Sequence, residues 1–292
     1  MSESRPARRI GEATVRAGRQ PAGARYGDPV IFEHTDRYLR AVDAALPGFV
    51  EMLYIVGSAA LGAWQPGHSD VDLVIVTSRP ATADDLTALA GVHAALPGPP
   101  YTDGVYLDAT TFAAQPDDGR PVPFVVNGEF RTDRPCGELN PVLWTVLRRH
   151  GIPVRGPAVA DLGLVAAPAA LRRYNLENLR DYWRPLAGRV RQETVGHDGA
   201  EPVPGEPVAW LVLGPARLHH TLAHGTVVAK ADAGAYLGRL FPAWQALQER
   251  AVRWRGGADE TFTVGDLRAA ADSVEAVVDD AWSRWGAGVP GR

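Results

Sequence analysis

The sequence predicts an α/β (α+β) domain with a small mixed sheet, followed by an all-α helical bundle, and three observations point there. Short apolar runs bounded by Gly, Pro or Asp alternate with stretches of helical period up to about residue 165. Beyond about residue 166 only helical periodicity remains. The 292 residues, 46% of them hydrophobic, suffice for one large domain or two smaller ones, each with a core of its own. The expected division is a basic tail over 1–30, the α/β domain over 31–165 and the helical bundle over 166–292.

The elements follow in order. Six arginines fall within the first 25 residues, against Glu3 and Glu12, in a stretch rich in Arg, Gly, Ala and Pro that is expected to be disordered. Residues 36–46 place Tyr38, Leu39, Val42 and Leu46 on one helical face. EMLYIVG (51–57) reads as a buried strand ending at Gly57, SAALGAW (58–64) as a short helix opened by Ser58, and 65–69 as a Pro-Gly turn. DVDLVIVT (70–77) is a second strand, and 82–96 a helix capped by Thr82 with acids in its first turn. GVYLDATTF (104–112) is a third strand that carries Asp108 in its middle and leaves Asp103 in the turn before Gly104. Residues 113–135 are polar and irregular, 138–151 form a helix with a basic last turn, and IPVRGP follows as an extended piece. The segments 169–186, 208–225, 231–254 and 263–285 then read as helices, with a polar loop over 191–207. Pro215 and Pro242 are expected to kink or interrupt theirs.

Composition excludes several classes. The net charge is −4, and without the arginine-rich tail the body carries −8, the wrong sign for a duplex nucleic-acid binder. No apolar run approaches the roughly 18 residues of a membrane span, and the N-terminus lacks the apolar core of a secretory signal. The single cysteine, Cys136, forms no internal disulfide, so a cytoplasmic location is expected. Of 30 basic residues, 29 are Arg and one is Lys, Lys230. An ammonium is a compact point charge where a guanidinium is a planar fork, so a lone lysine in such a chain is a candidate chemical requirement.

The stretch YIVGSAALGAWQPGHSDVDLVIV (54–76) concentrates the chemistry. Residues two apart in a strand share a side, so Asp70 and Asp72 face one way while Val71 faces the core. Two such carboxylates repel unless a cation lies between them. A hard divalent ion such as Mg²⁺ accepts oxygen ligands and keeps positions for phosphate oxygens. Gly57 permits close approach to the backbone, Ser58 offers a hydroxyl beside free N–H groups, and Ser69 stands next to the acids. A phosphate cradle facing an acid pair is the equipment of phosphoryl or nucleotidyl transfer. A third acid is then expected, as a metal ligand or as the proton acceptor for an attacking hydroxyl, and Asp108 is preferred to Asp103. His219 and His220 are expected as a surface or groove pair, and Tyr182 and Trp183 as an aromatic pair near substrate.

Gly-Ser followed by Asp-x-Asp at the head of a strand resembles the signature of the nucleotidyltransferase superfamily. The resemblance extends to LDATTF (107–112), NGEFR (127–131) and the Arg217–Lys230 segment, a set similar to that of the streptomycin/spectinomycin adenylyltransferases over about residues 36–285. That resemblance implies that Gly57, Ser58, Ser69, Arg217 and Lys230 bind the nucleotide phosphates and that Asp70 and Asp72 hold Mg²⁺. It puts Asp108 where the family has a catalytic glutamate, one methylene longer. It implies that Lys230 also assists catalysis and that Glu129, Phe130 and Trp183 contact the acceptor, with Asp198, Glu201 or Glu206 supplying an acid nearby. The implied reaction is AMP transfer from ATP to a hydroxyl of an aminoglycoside or aminocyclitol antibiotic, by a monomer that needs neither nucleic acid nor membrane. Rival readings are transfer to another hydroxylated metabolite or to a protein, and a nucleotide-binding regulatory module without turnover.

Overall fold

In the computed structural model, which describes residues 28–96 and 98–287, the chain begins with α1 (Pro29–Ala45). The Asp28 carboxylate caps it by accepting the Val30 N–H at 3.0 Å. Pro29 and Val30 therefore belong to α1 with Asp28 as its cap, and the rest of the expected basic tail lies outside the described residues.

Six strands follow: β1 (Val50–Ile55), β2 (Val71–Thr77), β3 (Thr102–Asp108), β4 (Phe124–Val126), β5 (Glu129–Arg131) and β6 (Ile152–Arg155). Their order across the sheet is β5-β4-β3-β2-β1-β6. β2 and β3 run parallel and every other pair is antiparallel, which makes the sheet mixed. The parallel pair needs a crossover, supplied by α3 (Ala83–Ala95), whose start is fixed by a Thr82–Asp85 capping box.

The period of two sorts the β2 side chains onto two faces. Leu73 and Ile75 pack with Leu53, Tyr106 and the apolar sides of α1 and α3. Val74 and Val76 pack with Val105, Leu107, Trp144 and Leu147, the last two from α5 (Pro141–His150). Asp72 heads this second row, beside the short α2 (Gly57–Ala60).

The rest of the described chain is mostly helical, with α6 (Pro168–Asn178), a π-helical turn over Leu179–Trp183, α7 (Arg184–Glu193), α8 (Gly205–His224), α9 (Lys230–Leu240), α10 (Gln245–Arg255) and α11 (Val264–Trp285), but against the all-helical expectation Pro202–Val203 and Phe262–Thr263 pair as a short antiparallel ribbon. The helices enclose a core that includes Leu176, Leu179, Val212, Leu213, Val274 and Val278. Pro242 interrupts the predicted 231–254 helix between α9 and α10, whereas Pro215 is carried inside α8. Among the described residues, no helix is long and apolar enough to cross a membrane.

Three expectations are corrected. The third strand begins at Thr102 and ends at Asp108, because Asp108 caps the short helix α4 (Ala109–Ala114) rather than continuing the strand. The irregular 113–135 stretch holds the β4–β5 hairpin, turned by Asn127 and Gly128 at φ 51° and 74°, the positive values that a tight hairpin turn requires. His219 is fully buried, hydrogen-bonded to the Tyr236 hydroxyl at 3.0 Å and to Asp280 at 2.8 Å, rather than exposed.

Candidate active site

The sheet and the helices face each other across a cleft of about 510 Å³, in the size range of small-molecule sites. Gly57, Ser58, Ser69, Asp70, Asp72, Arg217 and Lys230, all singled out from the sequence, line it together.

The acids come from the strand ends. Asp72 lies opposite Asp103 in the parallel β2–β3 register, so the two carboxylates share a face. Burial, Glu138 and Asp70 push the Asp72 carboxyl up to about 6, against the Ser58 N–H that donates to it. Burial and the charges of Asp72 and Asp70 push Asp103 up to about 7, against the Asn127 N–H that donates to it at 2.6 Å. Asp70, just before β2, accepts the Tyr101 N–H at 3.2 Å. Gly104 lies inside β3 rather than in a turn because only glycine fits: a Cβ there would fall 2.5 Å from the Leu73 carbonyl.

Gly57 is required twice over. Its φ of 58° disfavours a side chain, and a Cβ would fall 1.8 Å from Asp72 Oδ2. The backbone turn at the end of β1 is thereby pressed against the carboxylate. Ser69 is buried and accepts the Gln65 N–H at 3.2 Å, which fixes the turn leading into the acids.

The cations come from the helices: Arg217 from α8, Lys230 as the first residue of α9, and Arg255 as the last residue of α10. Burial lowers all three, bringing Lys230 to about 8, with Arg255 and Arg217 lowering it further. Among the described residues, the buried Arg217 Nε has no hydrogen-bond partner. Among the described residues, none of these cations forms an ion pair with an acid of the cleft. Glu138 stands at the open side of the cleft, ringed by protein yet reached by water, with its carboxyl raised by burial and held back by Arg217. Glu206 and the indoles of Trp210 and Trp254 complete the wall, with His68 edge-on to Trp254 at 5.2 Å.

Tyr182, 43% exposed, and four further sequence-selected residues lie outside the cleft lining. Asp108 is at the far end of β3, about 16 Å along the strand from Asp103. Its carboxylate caps α4 by accepting the Thr110 and Thr111 N–H groups at 2.9 and 3.1 Å and the Thr111 hydroxyl at 2.6 Å. Thr111 and those amides hold its pKa below the usual carboxylate range, and it is not among the residues that line the cleft. Glu129 is exposed on the outer strand and pairs with Arg131 at 3.5 Å. Phe130 is packed into the layer under α1 and α3, stacked on His93 at 5.6 Å. Trp183 is 3% exposed in the helical core. Of the three acids left open as its companions, Glu206 lines the cleft; Glu201 pairs with His197 at 2.9 Å and Asp198 caps its own loop.

Sequence reasoning missed Arg255, Glu138 and Trp210, and placed Asp103 second to Asp108. Asp103 was within reach: Asp-Ala-Thr-Thr at 108–111 is a helix-start pattern, which ends the strand at 108 and moves its beginning back to 102.

Among the described residues, no three His, Cys, Asp or Glu side chains form a self-sufficient metal cage. Magnesium does not need one, since it binds through one or two carboxylates together with substrate phosphates. The Asp70–Asp72 set fits such an ion. It is all oxygen, and burial and neighbouring acids raise the Asp72 carboxyl in a way that a cation would relieve.

Residues 36–131 match the family model described as a nucleotidyltransferase domain. The fold is similar to that of the spectinomycin adenyltransferase AAD(9) from Enterococcus faecialis, solved with ATP and spectinomycin. The TM-score is 0.64 at 13% sequence identity, over 85% of this chain and 99% of that one. No curated protein matches the sequence. The domain match and the shared fold support the resemblance drawn from the motifs, and with it an enzyme that transfers nucleotides.

Proposed function

We propose that this chain transfers AMP from ATP to a hydroxyl of an aminocyclitol or aminoglycoside antibiotic of the spectinomycin or streptomycin type, releasing pyrophosphate. One observation carries the reading: Asp70, Asp72 and Asp103 face Arg217, Lys230 and Arg255 across the cleft, with no ion pair joining the two sets among the described residues. A metal polyphosphate brings both signs of charge and fits between them. In this reading residues 31–165 supply the acids and residues 166–292 the cations.

Asp70 and Asp72 would hold Mg²⁺, which would neutralise phosphate oxygens and ease the departure of pyrophosphate. Ser58 and Ser69 offer hydroxyls to the triphosphate, and the unpartnered Arg217 Nε is a donor without an acceptor until an anion arrives. The acceptor hydroxyl attacks the α-phosphorus, the bond from that phosphorus to the bridging oxygen breaks, and the electron pair leaves with pyrophosphate. The hydroxyl proton passes to Asp103, whose carboxylate shares a strand face with Asp72 and lines the same cleft. Lys230 and Arg255 stabilise the charge that builds on the leaving group. Glu138 and Glu206, both on the cleft wall, offer anionic seats to the ammonium groups of such an acceptor. The AAD(9) structure with ATP and spectinomycin supports this acceptor class through its fold.

The test is pyrophosphate release from Mg²⁺-ATP with a panel of aminocyclitol antibiotics, followed by mass spectrometry of the products. Release with at least one drug and an adenylylated product is expected. No release with any drug, from protein shown to be folded, would remove the antibiotic assignment.

A further inference from the structure

We infer that Trp210 is the positioning residue for Lys230: its indole face seats the ammonium on the cleft wall and gives it up to incoming phosphate oxygens. The release step rests on the nucleotide reading above; the seat does not.

The Lys230 Nζ lies 5.2 Å from the centroid of the Trp210 ring, within the range in which an indole face attracts a cation. Among the described residues the amine has no ion pair or hydrogen bond. Trp210 is 44% exposed, a large indole left open on a cleft wall. It is braced from behind by Trp183, whose ring centroid is 5.3 Å away and which is 3% exposed. Trp183 lies in turn against Gly214, where a Cβ would fall 2.1 Å from its ring. A glycine inside α8 therefore makes room for one indole, that indole holds the second in place, and the second presents its face to the amine.

The charges around the amine explain why such a seat is needed. Arg217 from α8 and Arg255 from α10 repel it, while Asp72 from β2 and Glu206 from the first turn of α8 attract it with smaller effect. Burial adds to the repulsion. An aromatic face stabilises the cation without neutralising it. A carboxylate in the same place would hold the amine in a charge-assisted pair that a phosphate would have to displace.

Lys230 is the single lysine of the chain, so protein grown with lysine carbon-13-labelled at Cε gives one side-chain resonance. The wild-type signal is expected upfield of free lysine through the indole ring current. In Trp210→Ala it should move to the free-lysine position and the amine pKa should fall by about half a unit, while Trp210→Phe keeps part of both effects. A wild-type signal at the free-lysine position overturns the seat. So does an unchanged signal in Trp210→Ala whose circular dichroism shows it folded; if that variant does not fold, Trp210→Phe must show an intermediate shift or the seat is likewise overturned. Inorganic triphosphate is then added, with binding followed by calorimetry. Binding should carry the resonance out of the ring current; binding without that movement overturns the release. Triphosphate and ATP both failing to bind counts against the nucleotide reading and overturns the release with it, while leaving the upfield signal of the seat in place.

Discussion

Asp72 and Asp103 stand opposite each other on neighbouring parallel strands, and the charge of the first helps hold the carboxyl of the second near 7. In the proposed mechanism Asp103 is the base, while Asp108 at the other end of β3 caps α4, and substitution separates the two roles. Asp103→Asn is expected to lower pyrophosphate release by about 10²- to 10⁴-fold, the usual contribution of a positioned base. Asp108→Ala is expected to leave the turnover number within a few fold and to lower stability by about 1 kcal/mol, the loss of a helix cap. Initial rates and urea melts of both variants check the contrast.

The raised carboxyl also has a pH signature. The folded-state value of Asp103 near 7 lies above the ordinary 3.8, so the folded protein holds a proton that the unfolded chain releases. This contribution to stability is complete below about pH 4 and is lost as pH rises through 7. Asp103→Asn removes the charge and keeps the acceptor for the Asn127 N–H. The variant should match the wild type at pH 4 and exceed it at pH 8 by on the order of 1–3 kcal/mol. Thermal melts across that window show whether the gap opens with rising pH.

Gly57→Ala meets both obstacles at once, the positive φ and the Asp72 carboxylate that its Cβ would strike. A non-glycine residue in the left-handed region costs about 1–2 kcal/mol, and the clash forces Asp72 out of its place. Stability should fall by at least that amount, and ATP-dependent turnover should fall by more than tenfold. A fully active Gly57→Ala would mean that the turn does not fix Asp72.

Lys230→Arg preserves the charge and alters its shape. The planar fork cannot reproduce a point donor at the first residue of α9, and errors of about 1 Å can cost 10²-fold. The expected result is a lowered turnover number with folding unchanged, read from single-turnover rates.

Glu138→Gln tests the acceptor side. It should raise KM for a cationic aminocyclitol by roughly tenfold, the loss of about 1.4 kcal/mol, and leave KM for ATP close to its starting value. Equal effects on both constants would assign Glu138 to the nucleotide or to the scaffold.

The Gly57-Ser58 turn and the Asp70–Asp72 pair were legible because their meaning is local: a turn, a two-residue period and an apolar strand suffice. Arg217 needed the family resemblance, since nothing within α8 marks its side as facing a cleft, whereas Lys230 was also marked by being the only lysine among 30 basic residues. Asp103 was misread because a glycine in sequence suggests a turn, and only the neighbouring Leu73 carbonyl explains a glycine inside a strand. The Asn127-Gly128 hairpin carried a readable signal that the polar composition around it obscured. Trp183 and Trp210 share a helical region and a residue type, and periodicity cannot say which indole is enclosed and which borders open space. Arg255 and Glu138 gave no signal at all, because a side chain at a helix end or in a loop acquires its neighbours only through packing.

Among the described residues, no ion pair latches the aspartates of the strand ends to Arg217, Lys230 and Arg255 on the helical wall. An arriving nucleotide has no internal bridge to break before it docks, so capture is governed by diffusion and by the long-range pull of the guanidinium-lined wall. Rising ionic strength should then slow association while sparing the chemical step, a kinetic fingerprint that a cleft pinned shut by its own ion pairs would not leave.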